Sequence, residues 1–257
     1  MSTWLLLRGL AREHAHWGEF EAAFRRAVPQ ASIVALDLPG NGDFNRVASP
    51  ARVEAIADAC RGALRARRGT AGDAPVYLLA MSLGAMVAIE WARRWPSDVA
   101  GCVLINTSLR PFSPPWRRLR PRNWWRLLAI AAGAGTPIEA ESGILRLTST
   151  RRSGDAEVVA RWAAIRAARP VSVRNALRQL LAAARYRAPR ARPGVPMLLL
   201  ASRGDALVDP RCTGDLARAW GLAPCWHPDA GHDLPLDDPA WVADAVARWL
   251  PDDVIGA

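Results

Sequence analysis

Val76-Tyr77-Leu78-Leu79-Ala80-Met81-Ser82-Leu83-Gly84-Ala85-Met86-Val87-Ala88 decides the fold. Its first half, Val76–Ala80, is a short apolar run with the length of a buried strand. Its second half opens a helix over Leu83–Trp95 with almost no gap. Small residues on each side of Ser82 allow the strand and helix to approach closely. The spacing therefore predicts a sharp turn with Ser82 exposed at the C-terminal end of a strand, where ligands bind in parallel α/β sheets. The backbone N–H of Leu83, at the helix start, faces the same space and can meet a developing negative charge.

Outward from this turn, short apolar runs alternate with helical patterns, which predicts parallel strands joined by crossover helices. Strands are expected at Thr3–Leu7, Ser32–Leu36, Val76–Ala80, Val99–Ile105, Met197–Ala201 and Leu222–His227. A first helix is expected around Gly18–Ala27. Ser49-Pro50 is expected to open the next, as cap and first-turn proline, with Val53, Ile56, Ala57, Cys60 and Leu64 as its buried stripe. Asp209-Pro210 and Asp238-Pro239 open two further helices by the same rule. In the last, Trp241, Val242, Ala245, Val246, Trp249 and Leu250 recur at helical spacing and face the core.

A serine hydroxyl is a weak nucleophile without a base. The chain has four histidines: His14 and His16 in the first loop, His227 at the end of the last strand, and His232 in Ala230-Gly231-His232-Asp233. An acid must then orient the base. Asp205 lies in Ser202-Arg203-Gly204-Asp205-Ala206-Leu207-Val208-Asp209-Pro210, directly after a strand. Asp209 is more simply a helix cap, and the end of the preceding strand, Asn106-Thr107, holds no carboxylate.

Together these motifs resemble the serine hydrolases of the α/β-hydrolase superfamily, carboxylesterase-like members with a helical cap. Ala80-Met81-Ser82-Leu83-Gly84 resembles the nucleophile elbow G-x-S-x-G, with Ala80 where glycine is usual. Gly231-His232 resembles the loop of the catalytic histidine, which favours His232 over His227, read as a strand-end residue near the surface. The Asp205 loop resembles G-x-x-D-x-x-V-P, with Asp209 intruding before the proline. Leu7-Arg8-Gly9-Leu10 is similar to the oxyanion loop H-G-x, with Arg8 in place of histidine. Asp37-Leu38-Pro39-Gly40-Asn41-Gly42 resembles a structural D-x-P-G-x-G loop. The order Ser82, Asp205, His232 is that of the superfamily. The resemblance implies an α/β fold, a mostly parallel sheet flanked by helices with an inserted helical cap. It implies Ser82, Asp205 and His232 as triad and the Leu10 and Leu83 N–H groups as oxyanion hole. It also implies a core of residues 1–106 and 193–257 and a cap of residues 107–192.

At 257 residues the chain suits one large α/β domain. All 34 basic side chains are arginine. They are unevenly spread. Residues 107–192 carry 18 Arg against 4 acids, a net of +14, which leaves −4 for the rest of the formal +10. Arg8 offers a further positive charge near the expected site. Within Pro111–Leu128, Trp116, Trp124 and Trp125 interleave with Arg117, Arg118, Arg120, Arg122 and Arg126. Three readings stay open: a lid whose tryptophans face the substrate pocket, a docking face for an acidic protein or acyl carrier protein, and contact with an anionic membrane surface. No nucleic-acid-binding motif occurs, so nucleic acid is not an expected partner.

Cys60, Cys102, Cys212 and Cys225 show no metal-ligand spacing and read as reduced thiols. No secretory leader or membrane span is evident, so a cytoplasmic location is expected. The expected activity is cleavage of carboxylic esters through an acyl-enzyme, with no metal or cofactor. Thioester cleavage, acyl-carrier-linked methyl ester cleavage and a non-catalytic binding role are the alternatives. Ser82 excludes dehalogenase and epoxide-hydrolase chemistry, which would need aspartate there.

Overall fold

A computed structural model describes residues 2–68, 74–131 and 135–251. Six strands form one sheet: β1 (Ser2–Leu7), β2 (Ala31–Leu36), β3 (Val76–Met81), β4 (Val99–Ile105), β5 (Met197–Ser202) and β6 (Cys225–His227). Their order is β2-β1-β3-β4-β5-β6, and every neighbouring pair is parallel. This is the expected α/β architecture. A parallel sheet needs both faces covered, and β3 shows how the sequence provides for that. Val76, Leu78 and Ala80 enter one core, while Leu79 and Met81 enter the core on the opposite face.

Helices α2 (Val53–Arg68), α3 (Leu83–Arg94) and α9 (Arg211–Trp220) close the first face. Helices α1 (Phe20–Ala27) and α11 (Pro239–Trp249) close the second, through Phe20, Phe24, Val242, Ala245 and Val246. The predicted stripe of α2 is fully buried. Of these, Val53, Ile56 and Leu64 each contribute about 1.5–3 kcal/mol.

Two boundaries differ from expectation. Helix α2 begins at Val53, not beside Ser49-Pro50. The Ser49 amide instead donates to the Asn175 side chain (2.9 Å), and its hydroxyl to the Pro50 carbonyl. The Ser49 hydroxyl therefore caps no helix amide. The last strand is only Cys225–His227: Gly221 ends α9 in the left-handed conformation (φ 64°), and Pro224, which has no N–H to pair, directly precedes the strand.

Between β4 and β5 the described residues form five helices: α4 (Pro115–Arg118), α5 (Trp124–Ala131), α6 (Pro137–Thr148), α7 (Ala156–Ala168) and α8 (Val173–Arg185). Leu145, Val158, Val159 and Trp162 give α6 and α7 a small core of their own. Ion pairs tie this segment to the loop after β1: Arg12 with Glu141 at 2.7 Å, and Arg169 with Glu13.

Candidate active site

The order reversal between β2-β1 and β3-β4 opens a crevice at the carboxyl ends of β1 and β3, the usual ligand site of such sheets. Ser82 stands there. Its backbone has φ 54° and ψ −117°, a conformation that non-glycine residues rarely adopt. Neighbouring strand ends hold it. The Ser82 amide donates to the Ile105 carbonyl (3.0 Å), and its carbonyl accepts from the Thr107 hydroxyl (3.1 Å). The turn is tight enough that a Cβ on Gly84 would lie 2.5 Å from the Leu7 carbonyl oxygen. A Cβ on Gly9 would lie 3.1 Å from Ser82 Cβ, so the Arg8-Gly9-Leu10 loop abuts the serine. Leu83 is the first residue of α3, and its N–H has no carbonyl one turn back to bond.

His232 lies on the loop between β6 and α10 (Leu234–Asp237) and is buried. Its Nδ1 is 2.7 Å from Asp205 Oδ2. The other Asp205 oxygen accepts from the Leu207 and Val208 amides, both at 2.9 Å. The carboxylate is thus fixed on both sides, and His232 Nε2 is left as the ring nitrogen available to a serine. Burial lowers the His232 pKa, but the charge of Asp205 and its hydrogen bond outweigh this, and the net shift is upward. Among the described residues no hydrogen bond joins Ser82 Oγ to His232. Such contacts commonly tighten only when substrate binds.

His227 is not a surface residue. It is buried, and its Nδ1 accepts from the Ala230 amide (2.9 Å) while Nε2 faces Asp238 at 3.2 Å. It shapes the loop that carries His232. Asp209 is not the cap residue of α9, which is Pro210; it accepts from the Arg211 amide at 3.0 Å and pairs with the Arg211 guanidinium at 2.6 Å. Arg8 is no free charge beside the site. It makes a buried two-bond pair with Asp233 and lies over the Trp17 ring at 4.9 Å. Trp116 and Trp125 are 60% and 82% exposed, so most of their surface faces outward, and Trp124 is nearly half exposed at 46%.

Two supporting residues escape sequence reasoning. Asn106, with φ 45°, donates from Nδ2 to Ser202 Oγ (3.0 Å), the Gly231 carbonyl (3.2 Å) and the His232 carbonyl (2.9 Å). Its Oδ1 accepts from the Ser202 amide at 2.8 Å. One amide thus links the strand before Asp205 to the backbone of His232. Asparagine at a strand end, where a left-handed residue is tolerated, was the available signal. Asp237 accepts from the Gly231 amide (2.6 Å), the Thr150 amide (3.0 Å) and the Ser149 hydroxyl. The Asp233 amide donates to the Thr148 carbonyl at 2.6 Å. The end of α6 is thereby clasped to the histidine loop, and nothing local in the sequence signals this.

His14, Asp37 and Asp43 lie within ligand distance of one another. Asp37 already accepts from the His14 amide (2.6 Å) and the Asp43 amide (2.9 Å), so the group reads as a loop pin.

Residues 4–245 match the model of the alpha/beta hydrolase family. No curated protein matches the sequence. Among solved structures, a thermophilic esterase from Thermogutta terrifontis is 23% identical (TM-score 0.74), over 99% of this chain and 90% of its own. An esterase from Rhodococcus sp. ECU1013 is 18% identical (TM-score 0.74), over 96% and 90%. An enol-lactonase from Burkholderia xenovorans LB400 is 18% identical (TM-score 0.73), over 97% and 91%. At these identities the likeness is one of fold. Among the described residues no helix is long and apolar enough to cross a membrane.

Proposed function

We propose, from the premise that this chain belongs to the alpha/beta hydrolase family, that it hydrolyses carboxylic esters with Ser82 as nucleophile, His232 as base and Asp205 as orienting acid. One observation carries the reading. The 2.7 Å bond from His232 Nδ1 to an Asp205 carboxylate held by two backbone amides fixes the tautomer that leaves Nε2 as base. The strained Ser82 on the turn beside β1 supports it.

In this mechanism Ser82 Oγ attacks the ester carbonyl and His232 Nε2 takes its proton. The Leu10 and Leu83 N–H groups donate to the oxyanion. Imidazolium, stabilised by Asp205, protonates the departing alcohol oxygen and leaves an acyl-enzyme on Ser82. Water, deprotonated by His232, attacks that acyl carbon, and the acid leaves as Ser82 regains its proton. No step calls for a metal or cofactor. The helical segment between β4 and β5 serves as cap, since α6 is bonded to the histidine loop at Thr148 and Asp237. Thioesters and lactones pass through the same intermediates, and the fold does not choose among them.

The test is hydrolysis of p-nitrophenyl esters from acetate to long acyl chains, with Ser82→Ala alongside. The expected result is turnover by the native protein and a loss of at least about 10³-fold in the variant. Full activity in the variant, or a folded native protein inert to every ester, would overturn the reading.

A further inference from the structure

Three arginines of the segment between β4 and β5 line one open groove of about 440 Å³. It is lined by Arg122, Asn123, Trp125, Arg126, Arg146, Leu147 and Ala206. Two of the four acids of this segment are already paired with arginine. Glu141 binds Arg12 and Arg166, and Asp155 binds Arg152. By contrast, Arg122, Arg126 and Arg146 have no carboxylate partner among the described residues, and no acid lines the groove. Three like charges around one concavity repel each other, and an anion placed between them relieves that repulsion. The guanidinium fork suits a carboxylate or phosphate, which it can bind through two parallel hydrogen bonds.

The groove also adjoins the loop that carries Asp205. Ala206 directly follows Asp205, and its carbonyl accepts from Asn123 Nδ2 at 2.8 Å. Leu147 directly precedes Thr148, whose carbonyl holds the Asp233 amide. One wall therefore continues into the acid loop and another into the clasp on the histidine loop. Trp125, 82% exposed between Arg122 and Arg126, offers an uncovered ring to the carbon chain of a ligand.

We propose that this groove binds the anionic end, carboxylate or phosphate, of the ester that Ser82 cleaves, so that the substrate class is esters with a charged terminus. A bilayer or an acidic protein would also meet arginine and tryptophan here. A small anion is favoured because Arg122, Arg126 and Arg146 line one groove that holds no acid, and the exposed Trp125 ring beside them suits a short carbon chain.

The kinetic arm of the test rests on the ester-hydrolase reading; the binding arm does not. In the first, kcat/KM is compared for p-nitrophenyl hexanoate and the mono-p-nitrophenyl ester of adipic acid, equal in chain length and differing by the terminal carboxylate. The native protein is expected to prefer the charged ester. Arg122→Gln/Arg126→Gln/Arg146→Gln is expected to lower that preference at least tenfold, and Arg146→Gln alone to lower it by a smaller factor. In the second arm adipate is titrated calorimetrically into Ser82→Ala protein. Affinity is expected to fall at least tenfold when the three arginines are replaced in that background. Inertness to both esters with arginine-dependent adipate binding would sink the hydrolase reading and leave the groove standing. Equal adipate affinity in both proteins, or an unmoved preference, would overturn the groove. So would arginine-dependent sedimentation with phosphatidylglycerol vesicles without adipate binding, which would assign the surface to lipid.

Discussion

Arg8 and Asp233 form a two-bond ion pair, Nη1 to Oδ1 at 3.1 Å and Nη2 to Oδ2 at 2.5 Å, with both side chains buried. Arg8 opens the loop after β1 that abuts Ser82, and Asp233 directly follows His232. The pair therefore couples the two walls of the crevice. Removing one partner strands the other charge away from water, which costs about 3–5 kcal/mol. Arg8→Met should lower stability by that amount in urea unfolding. Arg8→Met/Asp233→Asn should recover much of it, since no unpaired charge is then buried. A double variant as unstable as the single one would refute charge pairing as the cause.

The raised pKa of His232 sets the pH behaviour. The base works only when neutral, so kcat/KM on a neutral ester should rise with pH along a limb whose midpoint lies above histidine's ordinary value of about 6.5. Stability runs the other way. A group whose pKa is raised by folding gives its full stabilisation below the unfolded value, and loses it as pH climbs through the folded one. Asp205→Asn removes the cause. The limb should move to lower pH and kcat fall by about 10⁴-fold. A pH–rate profile of the two proteins checks both statements.

Asn106 bonds three acceptors with one Nδ2 and takes the Ser202 amide on Oδ1. Asn106→Ala leaves buried carbonyls and an amide unsatisfied, at about 1–3 kcal/mol each, and alanine tolerates the left-handed backbone (φ 45°) less well than asparagine does. Thermal unfolding should show a net destabilisation of about 2–4 kcal/mol. Activity should fall further than the folded fraction does, because the His232 backbone loses its anchor. Aspartate is a poor substitute, since it offers no donor to the two carbonyls.

Gly84 is fixed by the approach of α3 to the end of β1, where a Cβ would sit 2.5 Å and 2.6 Å from two backbone oxygens. Gly84→Ala should cost about 1–3 kcal/mol or more, because backbone rather than a flexible side chain must yield. It should also shift the Ser82 turn and reduce acylation. Ala80, already a residue with a Cβ and fully buried, shows that the other side of the elbow has room.

Much of this arrangement was legible in the chain because its signals are local. Strand β3, the immediate helix α3 and the serine between them follow from an apolar run meeting a helical pattern with no room for a loop. Parallel strands buried on both faces read as continuous apolar runs, so five of the six strands lie within one residue of expectation at each end. The three candidate residues were marked by short motifs, each at the end of a strand. The structure brings Asp205 and His232 together across the end of the sheet, 27 residues apart in sequence. Only the tertiary structure decided what holds them. The role of Asn106 depends on β4 lying beside β5, the pairing of Arg8 on the histidine loop closing over β1, and the clasp of Asp237 on α6 folding back from an insertion. The bond from the Ser49 amide to Asn175, far along the chain, is likewise tertiary, and α2 starts at Val53 rather than beside Ser49. Buried polar groups choose partners by proximity in space, and a sequence carries that information only through the fold as a whole.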